Sequence, residues 1–377
     1  MEETKPKNKI QVCTIALVLL LTSFLLFRSK EISGGIVRAV DLCLYTVLPS
    51  LFGMMVVSNL VVSSKIFTKL LSPFSAVTRY LFKLPAKLTS VLLISFIGGY
   101  PVGAKIIDGL YRDGEIDLKT AERMLSFCVN AGPAFVISAV SIPIFHNVQV
   151  GFLVLAAHLC SNLAVALIGG FKTGIPARET SNSCSKEELP LSVRVVASVN
   201  SATRSMVIVC SFIIAFSILL TIIELTGFQE GLAEFLSGWI EPQNAEALIA
   251  GIFEVTQGCS KISGSSPLSI YLLAGITSFG GICVHLQIAA LLSGSGIKMK
   301  RYFLSRILHL PLSLLFVWLM SAWWQPALNT FAPEEPVTYA ASSVSPYASL
   351  FLILLCLILL FTTGKSAKMK KEVNKEE

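Results

Sequence analysis

The sequence predicts an all-α polytopic membrane protein, with about eight transmembrane helices plus two re-entrant hairpins arranged as an inverted repeat. Three observations carry that expectation. Of 377 residues, 54% are hydrophobic and 14% charged, where a soluble domain carries about 25% charge; so little charge cannot cover a water-facing surface. Residues 10–27, 42–64, 88–104, 124–171, 205–223, 262–297, 310–333 and 336–364 contain no Asp, Glu, Lys or Arg, and a helix crosses the hydrocarbon with roughly 20 apolar residues. These runs are unbroken, whereas a membrane β-barrel alternates apolar and polar positions. The nine cysteines are scattered without a Cys-x-x-Cys spacing, which speaks against a zinc site or redox pair. No phosphate loop, metal-ligand cluster or nucleophile elbow occurs, so no enzyme activity, cofactor or metal is expected.

The elements follow in order. Residues 1–35 read as a cytoplasmic N-terminus and first transmembrane helix. The run 10–27 ends in Leu-Leu-Phe-Arg without a small-x-small cleavage site, as a retained span does and a signal peptide does not. Residues 36–170 form the first repeat: span 36–62, amphipathic stretch 66–86, hairpin 88–107, spans 121–140 and 148–170. Residues 171–204 read as a cytoplasmic linker. Residues 205–325 form the second repeat, with span 205–227, amphipathic stretch 228–242, hairpin 245–262, and spans 268–291 and 303–324. Residues 326–377 supply an external loop, a last transmembrane helix (346–362) and a basic cytoplasmic tail.

Sidedness comes from the loops, because Lys and Arg stay in the cytoplasm. Segment 65–87 (Lys65, Lys69, Arg79, Lys83, Lys87), segment 172–204 (Lys172, Arg178, Lys186, Arg194, Arg204), segment 298–306 (Lys298, Lys300, Arg301, Arg306) and the tail are basic and read as inside. Segments 141–148, 228–246 and 325–346 carry no basic residue and read as outside. Arg28, Lys30 and Arg38 disagree, since parity places them outside; Arg38 could pair with nearby Asp41. This assignment leaves 88–107 entering and leaving on one side, and 245–262 doing so from the other. Each repeat then crosses an odd number of times, and the second is inverted relative to the first. Both termini lie in the cytoplasm of a multi-pass cell-membrane protein. Ser126-Phe127 after the first hairpin corresponds to Ser278-Phe279 after the second.

Broken backbone at membrane depth survives only where protein or a wet cavity satisfies it, which makes the breaks the candidate solute site. Gly98-Gly99-Tyr100-Pro101-Val102-Gly103 forms the first hairpin tip, with Gly99, Tyr100, Pro101 and Gly103 as candidates. Glycines admit a ligand close to the backbone; the structural alternative is tight helix packing through small residues. Asn130, Gly132 and Pro133 interrupt the next span, where Asn130 offers a donor and an acceptor. Glu254, Thr256, Gln257 and Gly258 form the second tip. A carboxylate in an apolar run is a functional candidate by default; its structural alternative is an ion pair with Lys105 or Lys261. Ser278, Gly280, Gly281 and Gln287 break the following span, with His285 a weaker candidate for moving a proton.

Gly-Gly-Tyr-Pro-Val-Gly-Ala-Lys (98–105), Asn-Ala-Gly-Pro-Ala-Phe (130–135), Glu-Val-Thr-Gln-Gly (254–258) and Ser-Phe-Gly-Gly-Ile (278–282) resemble, together and in this order, the YlbJ-type sporulation integral membrane proteins of the nucleoside-recognition, or Gate, superfamily. The resemblance covers about residues 36–325. It implies a nucleoside-transporter-like fold and a role in endospore cortex or coat formation, and it suggests a nucleoside-like solute through the superfamily name alone. The expected function is a transporter-like permease for a small polar solute during sporulation. The competing expectation is a non-transporting membrane scaffold for spore-envelope assembly. The partners read from the sequence are membrane lipid and a small polar solute; a coupling ion and a homo-oligomer are allowed, and nucleic acid is not expected.

Overall fold

A computed structural model describes residues 22–62, 64, 70–170, 189–264 and 266–324. The described residues are helical, with no strand among them. The helix expected at 10–27 lies mostly outside the described residues, and the one at 346–362 and the tail lie wholly outside them.

In chain order, α1 (Ser29–Val62) is a long helix with a π-helical turn at Cys43–Val47. Short turns at Ser72–Phe74, Val77–Leu81 and Ala86–Leu88 lead to α2 (Thr89–Gly98) and α3 (Tyr100–Arg112). Next come α4 (Leu118–Leu125), the largely π-helical α5 (Ala134–Phe145) and α6 (Val148–Gly170). The second half contains α7 (Leu191–Leu225), α8 (Phe228–Leu236), α9 (Pro242–Phe253), α10 (Val255–Ser260), α11 (Pro267–Phe279), α12 (Gly281–Leu291) and α13 (Lys300–Ser321). Five stretches are long and apolar enough to cross a membrane: α1, α6, α7, α11 with α12, and α13. Their outward faces carry large exposed apolar side chains such as Leu44, Val207, Ile307 and Trp318, the mark of a surface solvated by lipid rather than water. The chain is a multi-pass helical membrane protein.

The two stretches expected as hairpins each contain a pair of helices that lie side by side. A Cβ built on Gly103 lies 3.2 Å from Ser95 Cβ, positions that continuous helix would hold about 12 Å apart. The turn is Gly99, at φ +83°, a conformation nearly reserved for glycine. In the second hairpin a Cβ on Gly258 would run into the Gly251 backbone, so α9 and α10 also lie side by side. Ser263 closes its open end, its N–H donating to Asn244 Oδ1 and its hydroxyl to Glu241 Oε2, both at 3.2 Å.

Each hairpin precedes an interrupted helix. Residues 126–132 are unwound between α4 and α5. The stretch 121–140, expected as one span, is therefore divided, and Pro133 opens its second part, where proline needs no helical N–H partner. Asp117 caps α4 by accepting from Thr120 N at 3.1 Å, and the hydrogen bonding from Thr120 holds its carboxyl below the usual range. In the second half the interruption is sharper: Gly280 (φ +86°) caps the end of α11 and α12 starts at Gly281 (φ +71°).

Two readings of the charged segments are corrected. Residues 191–204 are not linker but the start of α7. At 35 residues this helix is about 52 Å long, longer than the ~30 Å hydrocarbon, so its basic first turns accommodate Arg194 and Arg204 without leaving the helix. Arg306 is not a loop cation. It lies inside α13 and is 2% exposed.

The helices pack through small residues. Ser217 donates from α7 to the Gly35 carbonyl of α1 at 2.7 Å, and α6 packs along α13 with His158 and His309 stacked at 5.4 Å.

Candidate functional site

The two hairpin tips and the first helix break meet at one cavity, which α12 closes beyond the second break. Its polar end is formed by Gly98–Pro101 of the first tip, Gly132 of the first break, Glu254–Thr256 of the second tip and Gln287 beyond the second break. Phe135, Val255 and Val284 sit among them, and Val47, Leu51 and Met55 of α1 with Val209 and Ile213 of α7 form an apolar wall. Its volume is about 40 Å³, room for a few waters at about 10–15 Å³ each.

Glycines set the close approaches. A Cβ on Gly132 would lie 3.0 Å from Gly99 N and from the Ile97 carbonyl, so the first tip rests on the first break. A Cβ on Gly281 would lie 3.0 Å from the Gly251 carbonyl and 3.2 Å from Val255 N, so the second tip rests on the second break. Tyr100 joins the two: its ring lies against Gly280 and its hydroxyl donates to the Thr277 carbonyl.

Glu254 is the one carboxylate on the cavity wall. It is extended (φ −140°, ψ 119°) and 1% exposed, and it caps α10, with Oε1 accepting from Thr256 N at 3.0 Å and Oε2 from Gln257 N at 2.7 Å. Neither expected lysine pairs with it. Lys105 donates to the Ser201 carbonyl at 2.8 Å and to Ser205 Oγ at 3.1 Å, while Lys261 binds Glu224 at 2.8 Å and approaches Glu246 at 3.8 Å. Arg38 reaches Glu224 at 3.8 Å instead of forming the expected pair with Asp41.

The remaining sequence candidates lie beside the cavity rather than on its wall. Gly103 packs on the Cys128 carbonyl, and Gly258 on Gly251. Asn130 is buried and donates to the Phe127 carbonyl at 3.0 Å, its Oδ1 left without a partner; Pro133 follows it at the start of α5. Gln257 gives its N–H to Glu254, and its side-chain Nε2 is buried and unpartnered. Ser278 Oγ donates to the Gly275 carbonyl at 2.9 Å. His285 sits 2.8 Å from the Tyr302 hydroxyl, away from the cavity wall.

Sequence reasoning missed a second polar cluster under the breaks: Arg306, His309, Tyr302 and His158. Arg306 Nη1 donates to the Ser278 carbonyl at 3.5 Å and Nη2 to the Ser126 carbonyl at 3.1 Å. His309 Nδ1 lies 3.3 Å from the same Ser278 carbonyl, and His158 Nε2 2.9 Å from Thr277 Oγ1. The available signal was periodicity: Arg306, His309 and Ser313 recur at i, i+3 and i+7, one face of a helix.

The chain is 28% identical to the sporulation integral membrane protein YlbJ of Bacillus subtilis (strain 168), over 79% of this chain and 78% of that protein. No family model matches the chain, and no solved structure matches it.

Proposed function

We propose that this protein is a permease that moves a small polar solute across the membrane of a sporulating cell, with the two hairpins as its gates. The observation that carries the reading is the shared cavity: two hairpin tips and the first helix break, far apart in sequence, close with α12 on one small, largely apolar space that holds the Glu254 carboxylate. Broken helices meeting at a central site are the recurrent architecture of secondary transporters. The two halves repeat one element order, long helix, hairpin, interrupted helix, long helix. Equivalent members also pack together, α1 with α7 and α6 with α13. With the basic loops inside, the halves are inverted in the membrane and the hairpins enter from opposite faces. Sporulation comes from the relative's name.

In this closed arrangement Glu254, Thr256 and Gln287 supply the polar contacts, and Tyr100 and the glycines shape the space. A nucleoside needs a cavity of the several-hundred-Å³ class, so binding one requires the tips to part. Glu254 is the residue through which a proton or cation couples to that movement.

The test is complementation of a B. subtilis strain lacking its relative. The wild-type chain is expected to restore heat-resistant spores, and Glu254→Gln to lose at least tenfold of that yield while accumulating normally in the membrane. Undiminished spore yield from Glu254→Gln sinks the permease role. Loss on deleting residues 365–377, beside tolerance of hairpin mutations, favours the scaffold instead.

A further inference from the structure

We propose that Arg306 is a built-in cation: its guanidinium fills the ion position formed where the interrupted helices of the two halves end, so the fold binds no sodium or other free cation there. This inference stands apart from the transport reading, because it concerns how the broken core is neutralised and not what passes through it.

The geometry is specific. Ser278 lies in the last turn of α11, and Ser126 caps the C-terminus of α4. They are the corresponding serines of the two Ser-Phe pairs, one in each half. Arg306, from α13, donates one guanidinium nitrogen to each carbonyl. A helix C-terminus carries roughly half a negative charge on its unpaired carbonyls. Two converging ends therefore offset about one positive charge, which is what a guanidinium supplies. In transporters with broken helices such ends coordinate coupling cations; here a side chain occupies them.

The surroundings contain no better counter-charge. Among the described residues no carboxylate forms an ion pair with Arg306, although it is 2% exposed. A buried charge left uncompensated is strongly unfavourable, so the carbonyls carry the compensation. The Tyr302 ring lies 5.3 Å from the guanidinium carbon, within cation–π range. His309 shares the Ser278 carbonyl and stacks on His158, which fixes that carbonyl from a second direction. Arg306 is thus a positioning residue. It ties the end of α4 to the end of α11, one turn from the Gly280–Gly281 break.

The experiment is thermal unfolding of the purified full-length protein in detergent, in choline chloride and with sodium or low-millimolar guanidinium added. With Arg306 in place and the coupling carboxylate removed, the midpoint of Glu254→Gln is expected not to respond to the choice of cation. Arg306→Ala is expected to unfold several degrees lower and to recover most of that loss, saturably, with guanidinium and in part with sodium. Arg306→Lys should keep most of the stability. A midpoint that climbs saturably with sodium in Glu254→Gln as in the wild type, an Ala variant as stable as wild type, or one whose loss no cation repairs, each overturns the proposal. If Arg306→Ala does not accumulate, Arg306→Lys and Arg306→Gln replace it: Lys must outlast Gln, and guanidinium must raise Gln alone. Equal stability of the two, or no response of Gln, rejects the idea.

Discussion

The two hairpins have one shape and two chemistries. The first turns on Gly99, at a φ of +83° that a side chain would not tolerate. Pro101 sits in the first turn of α3, where a backbone N–H would have no helical acceptor, so its missing N–H costs no hydrogen bond. That tip presents backbone and one aromatic ring. The second turns on Glu254 in extended backbone that any residue adopts. The position is therefore free to carry a side chain, and the one it carries is charged and caps α10. Where glycine solves the turn, no ionisable group can sit on the tip; where extended backbone solves it, one can. The first hairpin is the neutral wall of the cavity and the second its electrostatic side.

The comparison is broken most severely at the glycines inside the two hairpins. A methyl on Gly258 meets the Gly251 backbone, and one on Gly103 meets the Cys128 carbonyl. Backbone cannot rotate away as a side chain does. Gly258→Ala and Gly103→Ala are expected at or above the top of the roughly 1–3 kcal/mol range for overpacking, with Gly258→Ala separating the legs of its own hairpin. Gly109→Ala in α3 has nothing within 4 Å and should be neutral or stabilising by up to about 1 kcal/mol. Unfolding midpoints of the three variants decide it. A Gly109→Ala loss equal to the other two removes the packing argument.

The next contrast is the cap. Glu254→Ala frees two N–H groups of α10 and should cost about 0.5–2 kcal/mol, whereas Glu254→Gln keeps one acceptor oxygen and should lose less. A functional defect in Glu254→Gln larger than its stability defect assigns the charge a role beyond the cap. If the Ala and Gln midpoints coincide, the carboxylate is not holding the tip. No such substitution exists at the first tip, which has no side chain to remove at Gly99.

Both tips and both breaks were legible in the sequence, because glycine, proline and a lone carboxylate are rare ways to spend positions in an apolar run. The meeting of both tips and the first break at one cavity was not, since it depends on which helices pack together. Arg306 was misread for a definite reason: counted with Lys298, Lys300 and Arg301 it looks like the end of a basic loop. Only the helical face it shares with His309 and Ser313 separates it from them. The length of α7 was hidden likewise, Arg194 and Arg204 having the composition of a linker and the backbone of a helix. Ion pairs followed space rather than sequence, Arg38 passing over Asp41 for Glu224 on a distant helix.

The smallest expected effect lies at the feet of the hairpins, where each half places one lysine. Lys105 donates to a carbonyl and a hydroxyl, whereas Lys261 meets two carboxylates, Glu224 and Glu246, and its side chain is 29% exposed. Ion pairs this open to solvent contribute about 0.2–1 kcal/mol and weaken with salt; hydrogen bonds to neutral oxygens respond far less. Lys261→Ala should therefore lower the unfolding midpoint slightly at low ionic strength and hardly at all in molar salt, while the deficit of Lys105→Ala should stay constant. Equal salt sensitivity of the two variants contradicts the assignment of charge pairing to Lys261 and of neutral hydrogen bonding to Lys105.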